Sequence, residues 1–261
     1  MIRENDNKQE SSDTVMEQHK SVSDKIEAEF LTCERIVVFV LLMVTAGMMG
    51  AYTFVMRGGV FCNAQTANIV MMGIAFGKKN WELGFYFLIP IAAYCGGAIL
   101  SEVLPHTVRK TGWLRWDTCL IAIEIVILFL IGWIPLSLPD QIVQILINFI
   151  ASMQYNIFRQ AEGIPMATTF CTNHVRQVGV CLAKILRGKG KDRGVLHRGL
   201  VHLLMLTGFF TGACVLTIFC AILKEKAIWI AIIPMMANFV LLLYADLVKE
   251  HDLLWKVPRG H

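Results

Sequence analysis

The chain has 261 residues, of which 56% are hydrophobic and 17% are charged, and this composition, with a mean hydropathy of +0.57, argues against a soluble globular enzyme. The formal net charge of +4 is too small and too dispersed to indicate a nucleic-acid-binding surface. Apolar runs of about 20 residues recur, which is the length that a helix needs to cross roughly 30 Å of hydrocarbon. The sequence therefore predicts an all-α, polytopic membrane protein whose main partner is the lipid bilayer.

The N-terminal segment is polar up to residue 29, with many Glu, Asp, Lys, Ser and Asn residues and few large apolar ones. Such a segment cannot bury a hydrophobic core, so we predict a disordered cytoplasmic tail over residues 1–35. It lacks the apolar region of a signal peptide. A single transmembrane domain is expected over residues 36–248, followed by a short cytoplasmic tail over residues 249–261.

Eight apolar segments follow the tail, and two of them differ from the rest. The second contains several amide and hydroxyl side chains, and the sixth contains threonines, a histidine and basic residues. Polar groups at membrane depth persist only where protein encloses them or where they line a wet cavity. The eight segments cover residues 36–56, 60–77, 83–104, 118–136, 141–158, 164–186, 200–223 and 227–248.

The positions of Lys and Arg separate two membrane topologies, because short cytoplasmic loops carry an excess of basic residues. If all eight segments cross, the loop with Arg109, Lys110 and Arg115 lies outside while the N-terminal tail lies inside. If the second and sixth segments are broken or re-entrant, that loop moves to the cytoplasmic side, together with the basic residues between 187 and 198. We therefore predict about six transmembrane helices plus two broken or re-entrant segments, with both termini cytoplasmic.

This topology implies an inverted internal repeat with halves at about residues 36–136 and 141–248. An offset of 106 positions places Thr66 on Thr172, Asn68 on His174 and Gly73 on Gly179. Inverted repeats with discontinuous segments at their interface recur in secondary transporters.

The helix that follows each polar segment carries small residues at four-residue spacing, which lets helices approach closely. They are Ala93, Gly97 and Ser101 in the first half and Gly208 and Gly212 in the second. The spacing supports the repeat, and the same faces suit a homo-oligomer.

Two stretches of the chain resemble the YoaK family of bacterial membrane proteins, whose function is unknown. The first comprises GAYTF at residues 50–54, RGGVF at 57–61 and NAQTAN at 63–68, and the second comprises MQYN at 153–156 and ATTFCT at 167–172. Gly50 and Ala67 depart from the family pattern, in which Asp and Gly are usual at these places. The resemblance implies a protein of the bacterial inner membrane and brings no established substrate.

The polar residues of the two unusual segments are the candidate solute-binding residues. Amides and hydroxyls both donate and accept hydrogen bonds, so a cluster of them suits a small neutral or zwitterionic solute. The same groups would equally tie helices together through hydrogen bonds of about 0.6–2 kcal/mol each. The predicted set is Asn63, Gln65, Thr66, Asn68, Asn156, Thr168, Thr169, Thr172, Asn173 and His174.

Three of the ionisable residues within or beside apolar segments are further candidates for function. Glu124 lies deep in an apolar run, where a carboxylate is costly unless it is neutral or paired, and His174 titrates near neutral pH. We predict proton coupling at both; the structural alternatives are a pairing of Glu124 with His202 or another buried donor and a hydrogen-bonded structural role for His174. Arg57 either binds an anion beside the glycines that follow it or extends to lipid headgroups.

Known catalytic and metal-binding motifs are absent from the sequence, so no enzyme, metal or cofactor is predicted. The leading interpretation is a secondary transporter or permease of a small polar solute. The rival is a non-transporting membrane scaffold or sensor, in which the polar residues only lock helices together. An intramembrane enzyme that uses His174 with a nearby acid is a third, less favoured class.

Overall fold

A computed structural model describes residues 30–109, 113–189 and 192–259. The predicted tail over residues 1–29 and Lys110 of the basic loop lie outside these described residues. Within them the chain is α-helical apart from short turns and one hairpin of two-residue strands, β1 (Gln160–Ala161) and β2 (Ile164–Pro165). The described residues therefore form an all-α fold, as the sequence predicts.

Eight α-helices carry most of the described residues, and short 3-10 or π turns extend several of them. The turns that matter below are Thr32–Glu34, Lys224–Ala231, Ala245–Lys249 and His251–Leu253. The helices are α1 (Ile36–Met56), α2 (Gln65–Gly77), α3 (Trp81–Arg109), α4 (Trp116–Ile131), α5 (Asp140–Ile157), α6 (Thr172–Lys184), α7 (Arg193–Leu223) and α8 (Ile232–Tyr244).

Three helical stretches of the described chain are long and apolar enough to cross a membrane: Ile36–Met56, Trp81–Pro105 and Arg193–Lys249. The last stretch joins α7 to α8 and is interrupted at Lys224, whose φ of 51° is not helical. Large apolar side chains on these stretches are exposed, including Ile218 at 62%, as expected for a surface that faces hydrocarbon. The chain is therefore an all-α membrane protein.

Helices α2 and α6 are much shorter than the apolar segments that contain them. Each has 13 residues and is therefore about 20 Å long, against roughly 30 Å of hydrocarbon. We call residues 57–77 the first broken segment and residues 158–184 the second. The non-helical part of each contains left-handed glycine, with φ of 77° at both Gly58 and Gly163, which lets the chain turn before the short helix begins.

The first helix of each half packs in parallel on a long helix of the other half. Along α1 and α7, Gly208 lies beside Val40 and Gly212 beside Val44, where a Cβ on Gly212 would be 2.0 Å from the Val44 carbonyl oxygen. Along α3 and α5, a Cβ on Gly97 would be 2.3 Å from the carbonyl oxygen of Phe149. The small-residue faces thus contact helices of the same chain. A homo-oligomer stays a prediction, and its interface would have to use other residues.

Arg57 ends α1 inside the protein and does not reach out of it. Its side chain is fully buried; Nη2 donates to the Ile134 carbonyl at 2.5 Å and Nη1 to the Pro135 carbonyl at 3.2 Å. Asp140 lies 3.9 Å from Nη1. Arg57 therefore neither binds an anion nor extends to lipid headgroups, and both predictions were wrong. Its guanidinium group donates to backbone carbonyls of the connection between α4 and α5. We call this end of the bundle the Arg57 end.

The opposite end, the Arg115 end, joins both termini of the described domain. Arg115 is only 6% exposed, and its Nη1 donates to Glu250 Oε2 at 2.5 Å. Thr32 donates to the other oxygen of Glu250 through its backbone N–H at 2.8 Å and its hydroxyl at 2.7 Å. The backbone N–H of Arg115 donates to Asp246 at 3.0 Å. Residues on either side of the predicted domain limits are therefore in contact at this end, and the limits of 36 and 248 stay a prediction.

Replacing Glu250 with glutamine is expected to lower the free energy of unfolding by about 3 kcal/mol at neutral pH, because it leaves the buried Arg115 short of a counter-charge. Burial favours the neutral acid, but hydrogen bonds from Thr32 and Arg115 outweigh it and lower the pKa of Glu250. A carboxyl group with a lowered pKa stabilises the fold at pH values above its ordinary pKa of 4.5. This stabilisation is lost as the pH falls through the pKa of the folded state. In detergent, Glu250→Gln should therefore unfold at a lower temperature than wild type at neutral pH, and the difference should become smaller in acid.

The exposed neighbour Asp252 supplies the control for this comparison. Asp252→Asn should unfold within about 0.5 kcal/mol of wild type at every pH. An equal effect of the two substitutions would contradict the assigned role of Glu250.

Candidate functional site

Two buried histidines join α6 to α7. Nδ1 of His174 lies 2.9 Å from Nδ1 of His202, and both side chains are fully buried. Nε2 of His174 lies 2.7 Å from the carbonyl oxygen of Ala167. His174 is therefore held by both ring nitrogens, one against α7 and one against the loop that precedes α6.

These contacts determine where the ring protons lie. A carbonyl oxygen can only accept, so Nε2 of His174 carries a hydrogen, and in a neutral ring its Nδ1 is then the acceptor. Nδ1 of His202 must donate, which leaves Nε2 of His202 as an acceptor. That atom is buried and has no hydrogen-bond partner among the described residues. An added proton would therefore have to break the pair or charge this enclosed nitrogen.

Asn68 occupies the corresponding place in the first broken segment. Its Nδ2 donates at 2.9 Å to the carbonyl of Phe61, seven residues earlier. His174 makes its carbonyl contact with Ala167, which is also seven residues earlier. In each broken segment a buried side chain near the start of the short helix thus holds the preceding loop.

A row of polar side chains runs along one face of α5, at four-residue spacing. We call it the polar seam, and it consists of Gln144, Asn148, Ser152 and Asn156. Asn148 Oδ1 accepts a hydrogen bond from Gln65 at 2.7 Å, and Asn156 donates to the Ser101 hydroxyl at 2.7 Å. The polar seam therefore faces the first broken segment and α3.

The loop before α6 brings further polar groups to the same region. Gln154 donates to the Thr168 carbonyl at 3.3 Å, while the Thr168 hydroxyl, the Ser152 hydroxyl and Gln154 Oε1 are buried without a hydrogen-bond partner in the described structure. The first broken segment reaches the same helix, because Gln65 donates to Asn148 of α5. The two broken segments consequently both contact α5.

The remaining candidate residues are distributed differently. Thr66 and Thr172 are exposed at the first turns of α2 and α6. Asn173 accepts a hydrogen bond from Arg176 at 2.9 Å, in an exposed position. Asn63 is buried and donates to the Ala46 carbonyl at 3.2 Å, and its amide lies beside Gly50, where the family pattern has an acid. The structure therefore encloses part of the predicted set and leaves these two threonines outside.

Glu124 faces the interior from α4. It is fully buried, and neither carboxyl oxygen has a hydrogen-bond partner among the described residues. Its predicted alternative partner was wrong, because His202 pairs with His174. The predicted role of Glu124 in proton coupling stays a prediction.

Sequence reasoning missed several residues of this region. Gln144, Asn148 and Ser152 had a readable signal, because they recur every fourth residue within an apolar segment. His202 had none, since a single histidine in a helix does not reveal which neighbour it faces.

The comparisons with known proteins give a family without an assigned activity. Residues 38–241 match the family described as protein of unknown function, DUF1275. The chain is also 22% identical over 196 residues to UPF0700 transmembrane protein YoaK of Bacillus subtilis (strain 168), covering 74% of this chain and 87% of that protein. No solved structure matches the chain. The resemblance to the YoaK family is confirmed, and the chain belongs to the DUF1275 family of membrane proteins.

Proposed function

We propose that the protein is a secondary transporter of a small neutral or zwitterionic solute in a bacterial cell membrane. The observation that carries the proposal is that both broken segments contact α5, the first through Gln65 and Asn148 and the second through Thr168 and Gln154. Buried hydroxyl and amide atoms without partners among the described residues of this region, on Ser152, Gln154 and Thr168, are groups that a polar solute would satisfy. Broken segments that meet at a polar site are a recurrent transporter design.

Several features expected of an inverted repeat support this proposal. The short helices α2 and α6 have equal length, and Asn68 and His174, which are equivalent at the offset of 106, make the same seven-residue contact. The parallel packing of α1 on α7 is matched by that of α5 on α3. Two halves that exchange their first helices in this way would be related by a two-fold axis.

Six crossings with two re-entrant segments are the membrane topology that goes with this repeat. The Arg115 end would face the cytoplasm, because residues 31–34, Arg115 and residues 246–253 meet there, near the predicted excess of basic residues. The Arg57 end would face outward. This orientation would place both termini on the cytoplasmic side.

Proton coupling through His174 and His202 completes the proposal. Protonation of the pair breaks or strains the contact that fixes α6 on α7, so an inward proton gradient would bias the position of the second broken segment. Each change of the solute site from one side of the membrane to the other would then be linked to the movement of one proton.

A non-transporting scaffold or sensor is the second candidate. It is favoured by the contacts that Asn63, Gln65 and Asn68 already make with backbone carbonyls and with Asn148. Amides satisfied in this way lock helices together and need no solute.

Uptake into proteoliposomes distinguishes the two candidates. With an imposed pH gradient and a mixture of labelled amino acids and small polyols, we expect accumulation above protein-free liposomes. Asn148→Leu should abolish it, because leucine removes the amide from the polar seam and blocks the space beside Gln65. Thr207→Val is the matched control, since its hydroxyl only contacts the Leu203 carbonyl of its own helix. Folded wild-type protein that accumulates nothing from the mixture would favour the scaffold.

A further inference from the structure

Two fully buried polar side chains outside the proposed solute site have unsatisfied oxygens. Both carboxyl oxygens of Glu124 on α4 and the Oδ1 atom of Asn238 on α8 are without a hydrogen-bond partner among the described residues. Each side chain is 0% exposed. Unsatisfied buried oxygens of this kind are expensive, and the cost is largest for an ionised carboxylate.

The two side chains lie at the same level of neighbouring antiparallel helices. Near one end Trp229 donates to the Phe129 carbonyl at 3.0 Å, and near the other end Thr118 donates to Asp246 at 2.6 Å. Along α4, Glu124 lies midway between Thr118 and Phe129. Asn238 lies midway between Trp229 and Asp246, which flank α8. With the packing of α4 on α8, this register places Glu124 and Asn238 at the same level of the interface between the two helices.

The orientation of the Asn238 amide is fixed by a third helix. Its Nδ2 donates to the Val38 carbonyl of α1 at 3.2 Å. The amide must therefore present its oxygen, an acceptor, elsewhere in the buried interface. The carboxylate of Glu124 also only accepts hydrogen bonds. It can therefore form no hydrogen bond with Asn238 Oδ1 unless the carboxylate gains a proton.

The surroundings offer Glu124 no counter-charge. No titratable or charged group among the described residues hydrogen-bonds to it or forms an ion pair with it. The elements that pack against α4 are α3, α5, α8 and the turn Lys224–Ala231. Their titratable and charged groups, with those of α4 itself, are Glu82, Tyr86, Tyr94, Cys95, Glu102, His106, Arg109, Asp117, Cys119, Asp140, Tyr155, Lys224, Glu225, Lys226 and Tyr244.

We propose that Glu124 and Asn238 form a proton-binding site, in which the carboxyl group of Glu124 takes up one proton from water and donates it in a hydrogen bond to Asn238 Oδ1. The net change is one proton gained and one negative charge lost, so both groups become neutral and paired. A metal cation is less suitable, because three side-chain oxygens fall short of the six or more that hard cations take. This site is distinct from the histidine pair and does not depend on transport.

Infrared spectroscopy of the protein in lipid vesicles tests the proposal directly. At neutral pH we expect the C=O stretching band of a protonated carboxyl group, which Glu124→Gln removes and Asn238→Leu shifts, since leucine takes away the acceptor. Glu82→Gln is the matched control, because this glutamate is exposed to the surroundings of the protein and its replacement should leave the band unchanged. A spectrum of Glu124→Gln equal to that of wild type would overturn the proposal.

Thermal unfolding provides a second readout. Glu124→Gln should unfold at the wild-type temperature, because the glutamine amide replaces the O–H as donor to Asn238. Stabilisation of wild type by sodium chloride relative to choline chloride, absent in Glu124→Gln, would show a cation in place of the proton and would also overturn the proposal. Both measurements are independent of solute uptake, so they separate this site from the proposed function.

Discussion

Replacing Gly97 with alanine is expected to lower the free energy of unfolding by about 3 kcal/mol, the upper part of the range for overpacked interiors. A Cβ at this position would lie 2.3 Å from the Phe149 carbonyl oxygen, which is backbone and cannot rotate away. Helices α3 and α5 would have to separate, and the polar seam would lose its contact with Ser101. Thermal unfolding in detergent measures the effect.

The adjacent glycine makes the comparison stringent. A Cβ on Gly96 meets nothing within 4 Å, so Gly96→Ala keeps the packing and gains helix propensity of up to about 1 kcal/mol. The two variants add the same methyl group to the same helix turn. Similar unfolding temperatures for both would contradict the close packing of α3 on α5.

Replacing His174 with leucine is expected to lower the free energy of unfolding by about 2–4 kcal/mol. The change leaves the Ala167 carbonyl and Nδ1 of His202 buried without partners, and each unsatisfied group costs about 1–3 kcal/mol. His197→Leu is the control, because His197 is an exposed histidine of α7 and should tolerate the change.

Asparagine at position 174 should restore part of this loss. Asn68 makes the equivalent contact with its Nδ2, so the amide of His174→Asn is able to reach the Ala167 carbonyl. We expect its unfolding temperature to lie between those of His174→Leu and wild type. An order in which His174→Asn is no better than His174→Leu would argue against the equivalence of the two broken segments.

Much of the architecture could be predicted from hydropathy and polar residues. The amides of residues 63–68 and the threonines and histidine of residues 168–174 indicated segments unsuited to lipid, and the structure places short helices there. The exact helix starts were not predictable, because the apolar residues that precede each short helix lie in loops. Those loops are held by contacts with distant residues, such as Gln154 with Thr168.

The partners of buried polar residues were harder to predict. Arg57 has the sequence context of an interfacial arginine, and only the connection after α4 shows that it is buried. His202 has no local signal that α6 would cover it. Periodicity identifies the buried face of a helix, but the identity of the facing side chain depends on tertiary packing.

The length of α7 has a consequence for how the protein sits in lipid. With 31 residues it is about 46 Å long, which exceeds the hydrocarbon thickness by some 16 Å. Because α7 ends near Glu225 at the Arg57 end, the excess would lie at its start, which carries Arg193 and Arg198. Acyl chains of different length would move this charged turn relative to the interface. Hydrophobic mismatch thus acts first on α6, the helix that packs against this part of α7.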